Sequence, residues 1–481
     1  MRVDTSFGNT CDSAGRRRTS SNVRPSRANF SSSASSRSSC SGWGSKRDVA
    51  KVTQGNSLGR RPGRRPLHGY AHGVRRLVLA LVAAAALAGP PAAPAIEGQL
   101  RTVLIPVTWG PQPLTDAQVR GLADGAASFL HTASFGRLTV VTDTTPWLHA
   151  FDAPPTCTNI RSIRDAAGAA ASATGIDLPG YNRRVYLLPY DVASCQLLGT
   201  FALTVGRDIL VVGRFRAETI AHELGHSFGL GHARRELCTS TCTLDEYGDP
   251  RDAMANAAGD FNPLEKSLAG WLPAPTPLAE AGDFVVDQFE VPSTLPQALV
   301  VSTAAGEYWI DHREPLGNDA ALTGPAVDGI EVRLRAEPVL SAALTLTPST
   351  LVSDRQDRTA GVVLPGASFV APGAFQLDVL DHVDTHVGIR FRWLDRTAPR
   401  QVQIARPRAT RGIVHLSWRA SPDSGSGVFR YEVSLDGRRT GSTSAKALDV
   451  TTRTGPHVVA IVAVDRAGNR SRSASRRFIV G

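Results

Sequence analysis

The sequence predicts a multidomain protein in which an α/β domain is followed by a β-rich domain and a C-terminal β-sandwich. Three observations predict it. Between residues 99 and 228, apolar runs of strand length alternate with longer, helix-periodic stretches. From about 275 to 395 only short apolar runs remain, punctuated by Gly, Pro and Asp. The segment after Pro399 repeats that all-β texture over about 85 residues, the size of an immunoglobulin-like sandwich.

The α/β part reads element by element. Residues 99–107 form a first strand, and Thr115 caps a helix that runs through about Leu130. Leu138-Thr139-Val140-Val141 is a short strand, Ile160 to about Ala173 an Ala-rich helix, and Arg184–Leu188 a buried strand. Phe201–Val205 and Asp208–Val212 flank Gly206-Arg207 as a hairpin. A helix then spans about Ala217 to Phe228. In the β-rich part the strand cores are Phe284–Val286, Ala298–Val301, Tyr308–Ile310, Gly329–Val332 and Val387–Phe391. Asp395–Pro399 reads as a linker. In the last segment Trp418 is a core residue and Asp436-Gly437 a hairpin turn.

The chain has 481 residues and a formal net charge of +10, but the charge is not evenly spread. Residues 1–76 hold 16 Lys+Arg against 3 Asp+Glu, and residues 77–95 carry no charge. The remainder is slightly acidic, which removes any global electrostatic case for nucleic-acid or anionic-membrane binding. Arg75-Arg76, the apolar run 77–88 and Ala93-Pro94-Ala95 have the layout of a secretory signal with a small-x-small cleavage site. The run is short of the ~20 residues of a membrane span. The expected division is therefore 1–73 as a disordered or untranslated leader, with translation starting at Val74, and 74–95 as a signal peptide. After these come 96–274 as the α/β domain, 275–395 as the β-rich domain and 396–481 as the sandwich. Export places the mature chain outside the cell, with no stable membrane insertion, where disulfides form. Outside the leader lie Cys157, Cys195, Cys238 and Cys242. The favoured pairing is Cys157–Cys195 and Cys238–Cys242. Metal ligation by Cys238 and Cys242 is the alternative, less favoured because nearby histidines can already fill a metal's protein positions.

The chemistry-bearing motif is residues 222–232, His-Glu-Leu-Gly-His-Ser-Phe-Gly-Leu-Gly-His. His222 and His226, four apart on a helix, share a face and can aim at one point. Gly229 permits the sharp turn that returns His232 as a third ligand. Three imidazoles leave one zinc position for water, the open coordination that hydrolysis needs. Zinc lowers the pKa of such a water toward about 7, and Glu223 is placed to take its proton as general base. Met254 is the only methionine besides Met1 and sits in a Gly/Pro/Asp-rich loop, Tyr247–Asn256. It suits a Met-turn beneath the ligands.

These residues resemble the metzincin signature, H-E-x-x-H-x-x-G-x-x-H with a Met-turn. Glu246–Met254, Phe261–Lys266, Gly270-Trp271-Leu272, Tyr308–Pro315 and Val327–Val332 are similar to the gametolysin family. The resemblance covers about 99–395 and is strongest at 218–272. It implies a metzincin-type catalytic domain, with a twisted mixed sheet plus an active-site helix, acting as a zinc endopeptidase with one catalytic ion. A protein or glycoprotein substrate goes with that reading. It also makes residues 199–205 a candidate edge for extended substrate. The last segment resembles a fibronectin type III or bacterial Ig-like domain, a spacer or a surface- or carbohydrate-contacting module. Met254-Ala255-Asn256 lacks a Tyr two residues after Met, so no fifth ligand is expected there. Tyr247 is read either as an oxyanion aid or as a packing residue, and the packing role is favoured. Asp249 and Asp252 are read either as partners of the ligand histidines or as turn formers, and turn formation is favoured. Two other functions fit the same residues: a non-enzymatic surface-binding protein on this fold, and an amidase on non-peptide amides. An intact Glu223 argues against the first, since a binding module needs no general base.

Overall fold

The computed structural model describes residues 95–481 apart from 156–159, 190–201, 239–240, 256–257, 342–343, 355–360 and 411. The expected leader, nearly all of the expected signal, Cys157, Cys195 and residues 199–201 of the expected substrate edge lie outside the described residues. Among those described, no helix is long and apolar enough to cross a membrane.

The α/β part is built on strands β1 (Gly98–Thr108), β2 (Leu138–Thr144), β3 (Leu148–His149), β4 (Arg183–Leu188), β5 (Ala202–Val205) and β6 (Asp208–Val212). Their order is β2-β1-β4-β6-β5, with β3 beside β1. All pairings are parallel except that of β5, the antiparallel edge strand. The alternation read from the sequence explains this layout, because parallel strands need helical crossovers that cover both faces of the sheet. Helix α1 (Asp116–Ala133) is held at its start by a capping box between Thr115 and Gln118. It packs on one face with α3 (Ala217–His226), around Leu130, Val185, Ile209 and Leu224. Helix α2 (Ile160–Ala173) covers the other face, over Val103, Ile105, Tyr186 and Leu210. A short helix α4 (Pro263–Leu268) follows, capped by Asn262 and Glu265.

After α3 the chain enters a different sheet. Strands β7 (Leu230–Cys238) and β8 (Cys242–Asp245) form an antiparallel pair that sets Cys238 opposite Cys242. Cys242 is disulfide-bonded, which takes its sulfur out of metal ligation. Further along come β9 (Thr276–Pro277), β10 (Gly282–Asp287), β11 (Leu299–Thr303), β12 (Gly306–His312), β13 (Ile330–Arg335), β14 (Val339–Ser341), β15 (Leu344–Asp354), β16 (Val362–Val363), β17 (Ser368–Ala371), β18 (Phe375–Val383) and β19 (His386–Trp393). Nine of these strands make one sheet along β8-β7-β15-β13-β12-β11-β9, with β7 and β15 parallel. The sheet thus draws strands from both sides of residue 275. A second sheet, β10-β19-β18-β17, packs against it over Val301, Ile310, Val332, Phe375 and Phe391.

Residues beyond Asp395 form two four-stranded sheets around Trp418, Val433, Val459 and Ile461, the expected sandwich. Its hairpin turns at Asp436 (φ 50°) and Gly437 (φ 80°), the two left-handed residues that the Asp-Gly pair predicts.

Candidate metal centre

Helix α3 carries His222 and His226 on one face, and their rings meet edge to face with centroids 4.7 Å apart. The helix ends at His226, two residues earlier than the sequence suggests. Gly229 adopts φ 91°, a left-handed conformation that turns the chain into β7. That turn is pinned from outside: the Thr347 amide donates to the Gly229 carbonyl at 3.0 Å. A Cβ on Gly231 would meet the β15 backbone at Pro348, 2.5 Å away, so the close approach of β7 to β15 requires glycine there. His232 then returns, with its ring centroid 5.6 Å from His222 and 4.9 Å from His226.

The orientation of each ring is fixed by a partner at Nδ1. His222 Nδ1 lies 2.7 Å from the Ala253 carbonyl, and His226 Nδ1 lies 2.9 Å from the Leu230 carbonyl. His232 Nδ1 lies 2.8 Å from Glu246 Oε1. With every Nδ1 engaged, the three Nε2 atoms are the free ring nitrogens, and the candidate ligand atoms all lie within 4.8 Å of one another. Acceptors placed this way hold the tautomer in which Nε2 carries the lone pair, the form that binds a metal. Burial pushes His222 down to about 4 and His226 down to about 3, so both rings are neutral near pH 7. The residues fit a single divalent ion.

Glu223 is 4% exposed. The Thr204 hydroxyl on edge strand β5 donates to its Oε2 at 2.5 Å. Burial pushes the Glu223 carboxyl up to about 7, and the Thr204 hydroxyl works in the opposite direction. A carboxyl in that range can both accept and release a proton near neutrality.

Met254 lies beneath the centre with no exposed surface. A Cβ on Gly225 would come within 2.6 Å of its Sδ, which gives the glycine inside the motif a packing reason. Asp252 Oδ1 accepts the Met254 amide at 2.7 Å, and Asp249 Oδ1 accepts the Arg251 amide at 3.0 Å. Both aspartates form turns, and among the described contacts neither bonds a ligand histidine. Tyr247 packs its ring 4.2 Å from that of His232. The sequence reading missed the two carboxylate contacts of this site. Glu246 stood in the family-like segment without a role, and Thr204 was read only as part of a strand and candidate substrate edge, with no role for its hydroxyl. Their signal was spatial, since β5 and the loop after β8 meet α3 and β7 only in the folded chain.

The sheet, helix α3 and the three-histidine centre fit the metal site of a metallopeptidase. Residues 137–308 match the model of the Gametolysin peptidase M11 family. That stretch contains His222, Glu223, His226, His232 and Met254. No curated protein matches the chain. Among solved structures, metalloproteinase-II from Bacteroides fragilis is similar at 13% identity and TM-score 0.25, covering 38% of this chain and 56% of its own. OgpA from Akkermansia muciniphila is similar at 9% identity and TM-score 0.21, covering 82% of this chain and 96% of its own. The fibronectin(III)-like modules of Clostridium thermocellum CbhA are similar at 18% identity and TM-score 0.14, covering 16% of this chain and 96% of their own.

Proposed function

We propose that this protein is a secreted, zinc-dependent endopeptidase of the metzincin type, with Glu223 as general base. The observation that carries the reading is the convergence of three imidazoles whose Nδ1 atoms are all occupied, beside a buried carboxyl on the same helix. A zinc ion held by His222, His226 and His232 would polarise the scissile carbonyl and acidify a water in its open position. Glu223 accepts the proton of the attacking water and delivers it to the leaving amine nitrogen. The β5 edge, antiparallel and, among the described residues, unpaired on its outer side, supplies backbone groups for an extended peptide. Secretion rests on the signal-like segment 74–95, and the division at residues 274, 395 and 396 is part of the same proposal. The pairings Cys157–Cys195 and Cys238–Cys242 belong to it too, as does surface or carbohydrate contact by the last segment.

Digestion of casein by the purified chain, with and without a chelator, tests the reading together with His232→Ala. Activity lost with chelator and restored by zinc is expected, with zinc affinity lowered about 10-fold or more in the variant. Proteolysis indifferent to chelator would sink it. Thr204→Val probes the carboxyl separately. Removing a donor that stabilises the ionised form raises the Glu223 pKa, so the acid limb of kcat/KM moves to higher pH. An unmoved limb would show that the hydroxyl does not tune the base.

A further inference from the structure

A second set of metal-ligand atoms lies outside both the site above and the family-matched stretch. His312 ends β12, Glu314 follows it in the loop, and His382 lies on β18 in the facing sheet. Glu314 Oε1 is 3.0 Å from His312 Nε2 and 2.9 Å from His382 Nε2. The three ligand atoms lie within 4.8 Å of one another, as in the catalytic triple. The two rings stand with centroids 4.7 Å apart at 68°, a spacing equal to that of His222 and His226.

Proton accounting at His312 points to an ion. Its Nδ1 lies 2.8 Å from the Gly329 carbonyl, which can only accept, so Nδ1 carries the proton. The neutral ring then turns the Nε2 lone pair toward a carboxylate oxygen, two acceptors face to face. The His312 side chain has no exposed surface, so water does not come between the two acceptors. A cation between Nε2 and Oε1 relieves it directly. Zinc–ligand bonds of about 2.0–2.2 Å in a tetrahedron put neighbouring donor atoms about 3.3 Å apart. The two separations from Glu314 need to open by only a few tenths of an ångström. Glu314 and His382 are 15% and 22% exposed, which leaves a path for the ion and room for a water as fourth ligand.

We propose that His312, Glu314 and His382 bind a second zinc ion, which clasps the nine-stranded sheet to the sheet of β18. Two imidazoles and a carboxylate suit zinc over calcium or magnesium, which favour all-oxygen sets. The ion joins residues on facing sheets, so it stabilises the β-rich part in the manner of any ligand bound only by the folded state.

The full-length chain, stripped by chelator and dialysed against trace zinc, is analysed for metal by inductively coupled plasma mass spectrometry. About two zinc ions per chain are expected in the parent, one in His382→Ala, one in His226→Ala and none in the double variant. Glu314→Gln, which preserves side-chain volume, is expected to match His382→Ala. Added zinc raises the unfolding temperature of His226→Ala by several degrees and leaves His226→Ala/His382→Ala unmoved. A parent holding a single zinc that His382→Ala retains would overturn the clasp. Loss of zinc on His382→Ala with none lost on His226→Ala would instead count against the catalytic ion.

Discussion

Glu223→Gln leaves the metal content of the protein intact and lowers peptide hydrolysis by roughly 10²–10⁴-fold. The separation of binding from turnover follows from the geometry. The three rings are oriented through Ala253, Leu230 and Glu246, and none of these contacts involves the Glu223 side chain. Glutamine keeps the volume and can still accept the Thr204 hydroxyl bond through its amide oxygen, so the helix and the β5 contact survive. It cannot take up a proton at neutral pH, and that is the one property the proposed mechanism asks of this position. The expected signature is a fall in kcat with KM little changed, since a proton transfer made in the transition state is lost while the substrate contacts stay. Single-turnover rates with a quenched peptide, beside metal analysis on the same sample, check both halves. A variant that hydrolyses at the parent rate would remove Glu223 from the reaction. One that loses its zinc as well would make the residue part of the metal's support.

Much of the fold was legible because its causes are local. Thr115 with Gln118 makes a capping box, Gly206-Arg207 joins two short apolar runs, and Asp436-Gly437 takes the two left-handed conformations of a tight hairpin. The motif at 222–232 pointed to the histidines that converge in the fold, because a spacing of four on a helix is geometry written in sequence. What stayed hidden is what only tertiary proximity makes. His232 was foreseen as a ligand, but not as a residue of a strand that pairs with β15, more than a hundred residues downstream. Its orienting partner Glu246 has no local signature, and neither has Thr204. The same holds for the charged residues buried between the Met254 loop and the downstream sheet. Asp249 and Asp252 looked like turn formers, which they are, but Arg251, Arg313, Glu331 and Arg333 are as fully buried as they are. Charged residues scattered from 249 to 333 give no sign in the sequence that they meet.

Arg333→Met should cost roughly 3–5 kcal/mol of stability, the range for removing one partner of a buried ion pair. Arg333 has no exposed surface and stands among three carboxylates, Asp249, Asp311 and Glu331. The last of these also pairs with Arg251 and Arg313. Replacing whole buried pairs with apolar residues can be nearly neutral, but deleting a single cation leaves anions that are desolvated and uncompensated. Asp311 shows how close the balance lies. Burial pushes its carboxyl up to about 7 even though Arg333 pulls it down, so removing the guanidinium drives it higher. A carboxyl whose folded pKa exceeds its unfolded value makes its full favourable contribution to stability below the unfolded value. That contribution is lost as pH rises through the folded value. The deficit of Arg333→Met should therefore be larger at pH 8 than at pH 5, because at the lower pH Asp311 is protonated and asks for no counter-charge. Asp249 sits in the loop that delivers Met254, while Arg333 and Glu331 lie on β13, two strands from the His232 strand in the nine-stranded sheet. Loss of the cation should thus loosen the floor of the metal centre, and zinc affinity should fall together with stability. Urea unfolding at the two pH values, with zinc affinity measured on the same variant, reads both effects. A shift under about 1 kcal/mol, or one that shrinks with rising pH, would mean that water rather than Arg333 compensates these carboxylates.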